Sequence, residues 1–93
     1  AAITVVPNSP EALESVLKQA RDQGIVVVAH EAAGIKNADI DIEAFDNRAY
    51  GAQIMDNLAE CMGETGQYVS FVGGLTAKTH MDWVGGAYDQ QQA

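Results

Sequence analysis

His30 and Glu31 are the residues whose types and position point most directly to chemistry. They follow the apolar run at residues 25–29 in "GIVVVAHEAAG" with no polar transition. A carboxylate accepts hydrogen bonds from hydroxyl groups, and an imidazole donates or accepts one. Ligands of open α/β sheets bind at the carboxyl ends of strands, so the pair is a candidate ligand contact. The alternative is two solvated loop residues, with Glu31 accepting from a nearby backbone amide.

Two other segments fall at the same predicted sheet edge. Residues 7–9, which include Asn8, follow the first predicted strand, and "GGLTAKT" at residues 73–79 follows the fourth. The second segment resembles a phosphate-binding loop in layout, but Val72 and Ala77 stand where that motif needs glycine. A nucleoside triphosphate site is therefore disfavoured. Capping of the next helix by Thr76 or Thr79 and contact with a polar ligand both remain open.

Metal and enzyme sites find no support in the spacing. Asp39 and Asp41 suggest a calcium loop, but Ile42 and Arg48 occupy the positions that require glycine and glutamate. A solvated strand face is the preferred interpretation. His30 and His80 are far apart with no supporting spacing for a metal, and no Ser-His-Asp or Cys-His arrangement is legible. We expect no metal, no cofactor and no enzymatic activity.

Composition limits the class of partner. The chain has 93 residues, with 5 basic and 13 acidic side chains and a net charge of −8. Such a charge repels phosphate backbones and anionic membrane surfaces, so nucleic-acid and membrane partners are not expected. No apolar run approaches the roughly 20 residues that span a bilayer. Cys61, the single cysteine, is predicted to be a small core residue.

Hydrophobic patterning predicts an α/β fold with a mainly parallel, doubly wound sheet, in the order β-α-β-β-α-β-α. The strand at residues 25–29 has no polar alternation, so both of its faces should be covered. Tyr50, Tyr68 and Phe71 are predicted core residues. The predicted segments are strands "AAITVV", "IVVVA", "ADIDIEAF" and "QYVSFV", and helices from Ser9–Pro10 to Gly24, from Asp46 or Asn47 to about Met62, and from Thr76 or Thr79 onward.

A family resemblance is carried by three stretches: "VVPNSPEALESVLKQARDQGIVVVAHEA", "DIEAFDNRAYGAQIMDNLAECMG" and "YVSFVGGLTAKTHMDWVGGAY". In this order they resemble the type I periplasmic sugar-binding proteins of ABC importers, in the ribose, rhamnose and autoinducer-2 branch. The resemblance implies two doubly wound lobes. Residues 1–45 would form the second half of the first lobe, and residues 46–93 the start of the second lobe after a hinge crossing. The chain is thus expected to be a fragment of a longer protein.

The resemblance also implies a ligand site. The family's first-lobe carboxylate falls on Glu31, and Ala32 replaces the arginine of the ribose type. The second-lobe contacts fall on Thr79, His80 and Asp82, the last reversing the charge of an arginine. A polyhydroxylated small molecule is therefore a firmer expectation than any one sugar. The candidate ligand-binding residues are Asn8, His30, Glu31, Thr79, His80, Asp82 and Trp83, the last as a ring that stacks on a sugar or as a core residue.

The resulting functional expectation is a solute-binding receptor component of an ABC importer, periplasmic or exported, that binds its ligand in an interlobe cleft. Its partners would be the small molecule and the importer's membrane subunits. Unpaired sheet edges would also favour self-association of this chain. The alternative is the effector-binding domain of a LacI-like regulator, which shares the fold. A flavodoxin-like or nucleotide-handling enzyme ranks last because its glycine motifs are missing.

Overall fold

Three parallel strands and three helices make up the computed structural model, which describes residues 1–93. The sheet order is β1-β2-β3, and both strand pairs are parallel. The α/β class with a parallel sheet is therefore confirmed. None of the three helices combines the length and the apolar character that spanning a bilayer requires. The elements are β1 (Ala2–Val5), α1 (Pro10–Asp22), β2 (Val26–His30), β3 (Ile40–Ile42), α2 (Asn47–Met62) and α3 (Lys78–Gln92).

The core of the sheet half lies between β2 and α1. Val27 and Ala29 of the central strand are fully buried, and Leu17 of α1 is almost fully buried. Pro10 supplies a fixed φ at the first turn of α1, and Ser9 is its N-cap as predicted, although the Ser9 side chain makes no capping hydrogen bond. Full burial of a side chain such as Leu17 or Val27 contributes about 1.5–3 kcal/mol. β2 is therefore the best-buried strand of the sheet, and the candidate site lies at its carboxyl end.

The other face of the sheet is open, so the predicted coverage of β2 on both faces is wrong. Val26 is 48% exposed, and Ile40 and Ile42 of β3 are about half exposed. Only α1 packs closely on β2, and no other helix in this chain packs on the sheet as closely. The pattern of β3 is accordingly inverted, because Asp41 is better buried than the two isoleucines that flank it.

α2 and α3 form the second half and approach each other through glycine. A Cβ built on Gly51 would lie 2.0 Å from the Trp83 carbonyl oxygen, and one on Gly86 would lie 2.1 Å from the Arg48 carbonyl oxygen. The backbones therefore touch at this crossing. α2 begins and ends as predicted: the Asp46 carboxylate accepts from the Ala49 amide at 3.0 Å, and Gly63 ends the helix with φ 75°.

The predicted strand "QYVSFV" is wrong. No amide or carbonyl of residues 65–72 takes part in a backbone–backbone hydrogen bond, because no neighbouring strand lies within reach. Tyr68 and Phe71, predicted as core residues, are exposed, Phe71 by 90%. A strand needs a partner to satisfy its ladder, and propensity alone does not provide one.

Three further predictions are corrected at the helices. Tyr50 is partly exposed on α2, where it contacts the aromatic rings of Phe45 and Trp83 instead of a closed core. Cys61 is exposed, because the face of α2 that carries it has no covering element. α3 is capped by Ala77, not by Thr76 or Thr79, and no side-chain capping bond forms. Both threonine hydroxyls are used elsewhere.

Candidate functional site

The carboxyl ends of β1 and β2 meet the first turn of α3 around a small cavity. Its volume is about 180 Å³, and its walls are residues 6–8, Glu31 and residues 77–80. Three segments that are distant in sequence, and that the sheet-edge argument selected, are thus brought together. Asn8, Glu31, Thr79 and His80 line this cavity, whereas His30, Asp82 and Trp83 do not.

Two threonine hydroxyls fasten the start of α3 to the sheet edge. Thr79 Oγ1 donates to the Glu31 carbonyl oxygen at 3.2 Å, and Thr76 Oγ1 donates to the Asn8 carbonyl oxygen at 3.2 Å. Thr79 is only 4% exposed and is the one buried polar residue. Its hydrogen bond satisfies a hydroxyl that would otherwise be buried without a partner. Thr79 therefore joins the two halves, with its donor already engaged.

Glu31 adopts a left-handed backbone conformation at the end of β2. Its φ is 55°, a value that side-chain-bearing residues seldom adopt. The Glu31 amide donates to the Ile42 carbonyl oxygen at 3.4 Å, which ties the residue to β3. Its side chain is 37% exposed, and Oε1 lies 3.8 Å from His30 Nε2. The carboxylate thus remains open to a ligand while its backbone is held on both sides.

His30 and His80 each have one ring nitrogen engaged by the backbone. His30 Nδ1 contacts the Ile42 carbonyl oxygen, beside the bond that the Glu31 amide makes to the same atom. His80 Nδ1 accepts from the Gly73 amide at 3.0 Å. The second nitrogen of His80, Nε2, is left for a further partner. Sequence reasoning did not identify Gly73 as the partner of His80, because a backbone donor leaves no side-chain signal.

Trp83 stacks on the His80 ring without lining the cavity itself. The two rings stack with centroids 5.0 Å apart and an interplanar angle of 24°. Trp83 Nε1 donates to Asn47 Oδ1 at 2.9 Å, and Asn47 Nδ2 donates to Glu43 Oε2 at 3.1 Å. Glu43 Oε1 is buried without a partner. The sequence identified Asn47 only as a possible helix start, because its contact with Trp83 spans 36 residues of sequence.

Asp82 is occupied by an ion pair. Its carboxylate contacts the Lys78 ammonium one turn earlier on α3, and only 17% of its side chain is exposed. The i, i+4 spacing of the two residues was a readable signal for this pair. Lys78 lines the cavity, so the pair places one cation beside it, whereas Asp82 is not part of the lining.

The loop that carries Glu31 toward β3 is held by two carboxylates. Glu14 of α1 accepts from the amides of Lys36 at 2.7 Å and Asn37 at 2.9 Å, and these bonds lower the pKa of Glu14. Asp39 accepts from the Val27 amide at 2.7 Å, and this bond, helped by Arg21, lowers the pKa of Asp39. Asp39 is exposed, as predicted for a solvated acidic face, but its carboxylate also works as a backbone acceptor.

Asp41 repeats that role on a smaller scale, since Asp41 Oδ1 accepts from the Ala32 amide at 3.3 Å. No group of three or more His, Cys, Asp or Glu side chains is arranged to hold a metal ion.

A larger cavity of about 440 Å³ lies between the distal ends of α2 and α3, lined by Met55, Met62 and Tyr68 among others. Its lining contains none of the candidate residues. The cavity lies beside residues 65–72, which make no backbone–backbone hydrogen bonds.

Comparison with known proteins gives one finding for the whole chain. A family model described as periplasmic binding protein domain matches residues 1–93. No curated protein matches the sequence. The match covers both the sheet half and the helix pair, so the cavity between them lies within the matched region.

Proposed function

The chain belongs to the periplasmic binding protein family, and on that premise we propose that it binds a sugar or sugar-like small molecule at the sheet edge beside Glu31. Members of this family bind small molecules, typically in the periplasm. The observation that supports the proposal is the meeting of Asn8, Glu31 and His80 around one cavity at the carboxyl ends of β1 and β2. That edge is where open α/β sheets bind ligands.

Each of these side chains offers chemistry suited to hydroxyl groups. The Glu31 carboxylate accepts, and hydrogen bonds to a charged group are stronger than neutral ones. The Asn8 amide both donates and accepts, and Lys78 and His80 add donors on the opposite wall. A cavity of about 180 Å³ is smaller than the roughly 300 Å³ of a typical ligand pocket. It matches part of a small polyol better than a bulky apolar ligand.

We further propose that the ligand is of the rhamnose, ribose or autoinducer-2 type and that the protein is an exported receptor for an ABC importer, not an enzyme. Residues 1–45 and 46–93 would then belong to two lobes that close on the ligand by a hinge near residues 44–47. The same architecture would serve the effector-binding domain of a LacI-like regulator. The net charge of −8 favours the receptor, because it opposes approach to nucleic acid.

Self-association with a second copy of the chain is part of the proposal. Residues 67–72 carry no charged side chain, include the exposed Phe71, and have no backbone–backbone hydrogen bonds. An extended segment of this kind pairs readily with another strand. In a chain that is acidic elsewhere, this uncharged stretch is where two copies approach with the least repulsion.

The affinity of Glu31→Gln tests the binding proposal. We expect wild-type chain to bind at least one of L-rhamnose, D-ribose and autoinducer-2 in an amide-shift titration, with weak affinity because the cavity is small and open. Glu31→Gln should weaken binding about 5- to 15-fold, because the amide oxygen still accepts and the loss is the difference between a charged hydrogen bond of about 1.5–3 kcal/mol and a neutral one of about 0.5–1.5 kcal/mol. Glu60→Gln, an exposed change on α2, is the matched control and should leave affinity unchanged. Equal binding by wild type and Glu31→Gln would refute the assigned role.

A further inference from the structure

We propose that His30 and His80 are held in opposite tautomers and that this polarity selects the ligand, an inference that rests on the proposed binding function. His30 carries its proton on Nδ1 and His80 carries its proton on Nε2. The sheet side therefore offers acceptors and the α3 side offers a donor. A matching ligand has hydroxyl donors at one end and a carbonyl, ether or hydroxyl acceptor at the other.

The tautomer of His80 follows from its partner. Gly73 N–H donates to His80 Nδ1 at 3.0 Å, so Nδ1 must present its lone pair. A neutral imidazole then carries its hydrogen on Nε2. A Cβ on residue 73 would lie 3.0 Å from His80 Cε1 and 3.2 Å from Nδ1, so a larger residue here would displace the His80 ring by a few tenths of an ångström. His80 lines the cavity, and in this tautomer the free nitrogen of its ring, Nε2, is a hydrogen-bond donor.

Trp83 and Asn47 are positioning residues for this donor. The indole face lies against the His80 ring, and the indole N–H is fixed by the Asn47 side chain at 2.9 Å. Asn47 is fixed in turn by Glu43 at the end of the strand half. The chain of contacts from Glu43 to His80 crosses from the sheet half to the helix pair. It sets the orientation of His80 without any of these supporting residues lining the cavity.

The tautomer of His30 also follows from its partner, which here is an acceptor and not a donor. Its Nδ1 contacts the Ile42 carbonyl oxygen, which can only accept, so Nδ1 must carry the hydrogen. In the neutral ring Nε2 is then an acceptor. It faces Glu31 Oε1 at 3.8 Å, and neither atom carries a hydrogen for the other. Two acceptors cannot bond to each other directly, but a hydroxyl or water that donates can bridge them.

The bridging donor defines the ligand chemistry at this end. A hydroxyl in the cavity can donate to the Glu31 carboxylate, and a neighbouring hydroxyl that extends past Glu31, outside the cavity lining, can donate to His30 Nε2. Across the cavity, the His80 Nε2–H requires an oxygen that accepts. A vicinal diol followed by a carbonyl, ring oxygen or further hydroxyl meets all three demands. A ligand that presents an ammonium or amide N–H toward His80 would leave two donors opposed, which costs binding free energy.

Long-range ¹H–¹⁵N correlation spectra of the ¹⁵N-labelled, ligand-free 93-residue chain test the inference. The spectra are recorded at a pH at which both rings are observed in the neutral form, where the two ring nitrogens report the tautomer directly. We expect a pyrrole-like Nδ1 for His30 and a pyrrole-like Nε2 for His80. The reverse assignment for either ring, or two rings that both average between tautomers, would overturn the proposal. Because no ligand is present, a failure here is distinct from a failure to bind sugar.

Variants on α3 separate positioning from mere packing. Trp83→Leu removes the indole face, so the His80 ring protons should lose their ring-current shift and its tautomer signals should move toward those of free histidine. Trp83→Phe keeps an aromatic face and should retain most of the shift. Tyr88→Leu, an equivalent aromatic loss at an exposed position of the same helix, should leave His80 unchanged. An unchanged His80 in folded Trp83→Leu would contradict the role of Trp83.

Discussion

Asp39 shows at the residue scale how a surface acid shapes the candidate site. Its carboxylate accepts from the amide of Val27, a fully buried residue, and its own amide donates to the Val27 carbonyl at 2.9 Å. Asp39 therefore closes the loop that starts at Glu31 and returns to β3. The alternating pattern "DIDIE" indicated an edge strand, but it could not indicate that a side chain would take over a backbone hydrogen bond.

Acid sensitivity should follow from Asp39. Hydrogen bonding lowers its pKa in the folded chain, so its stabilising effect is fully present above about pH 4 and is lost as the pH falls through the lowered folded value. Asp39→Asn should reduce the free energy of unfolding at pH 7 and flatten its decline below pH 4. Chemical denaturation at several pH values measures both effects.

The matched control for that experiment is Asp22→Asn. Asp22 makes an exposed i, i+4 pair with Lys18, and such pairs contribute about 0.3–0.5 kcal/mol. Its substitution should leave the pH dependence close to that of wild type. If Asp39→Asn keeps the wild-type decline below pH 4, the backbone role of Asp39 is wrong.

At the element scale, the contact of α2 with α3 explains two glycines that local propensity disfavours. Glycine inside a helix costs up to about 1 kcal/mol relative to alanine. Gly51 and Gly86 are nevertheless both buried, and each lies against a backbone carbonyl of the other helix. The close approach that they allow also places Trp83 beside Asn47, and so fixes the support behind His80.

Gly51→Ala and Gly86→Ala should therefore destabilise the helix pair in spite of better helix propensity. The added methyl meets backbone atoms, which cannot move aside as a side chain can, and overpacking costs about 1–3 kcal/mol. Thermal or chemical unfolding followed by circular dichroism measures the loss. Gln53→Ala on the exposed face of α2 is the control and should change stability by less than about 0.5 kcal/mol. Stabilisation by either glycine substitution would contradict the close crossing.

The elements were predictable from the sequence to different degrees, for physical reasons. The sequence predicted β2, α1 and both ends of α2 correctly, because their signals act locally. These signals are the apolar run of β2, the proline at the start of α1, and the Asp cap and terminal glycine of α2. Residues 67–72 were not predicted correctly, because a strand is completed by its partner and none is present. The sheet-edge rule selected the segments that line the cavity, but hydrogen bonds such as Thr79 to Glu31, across 48 positions, leave no local trace.

At the scale of the whole molecule, the chain is elongated and thinly packed. Its principal extents are 55, 20 and 17 Å, and 10 of 93 residues are buried. The open sheet face and the unpaired segment at residues 67–72 leave apolar surface exposed on both halves. Apolar surface of this kind is commonly covered by a partner.

Association should accordingly depend on concentration and salt. Added salt screens the repulsion between chains of net charge −8, so it should increase the weight-average mass in sedimentation equilibrium. Phe71→Ser should reduce association, whereas Tyr88→Ser, which removes another exposed aromatic residue, should reduce it less. A mass that stays monomeric at all concentrations and salt levels would refute self-association through residues 67–72.

The central claim is that the small cavity beside Glu31, and not the larger one between the helix ends, binds a sugar-like ligand. Amide chemical-shift mapping of the ¹⁵N-labelled chain with L-rhamnose, D-ribose and autoinducer-2 tests it most directly. We predict that at least one ligand shifts amides at residues 6–8, 30–32 and 77–80 in a saturable way. Shifts confined to the cavity lined by Met55, Met62 and Tyr68, or no saturable shift with any of the three, would contradict the account.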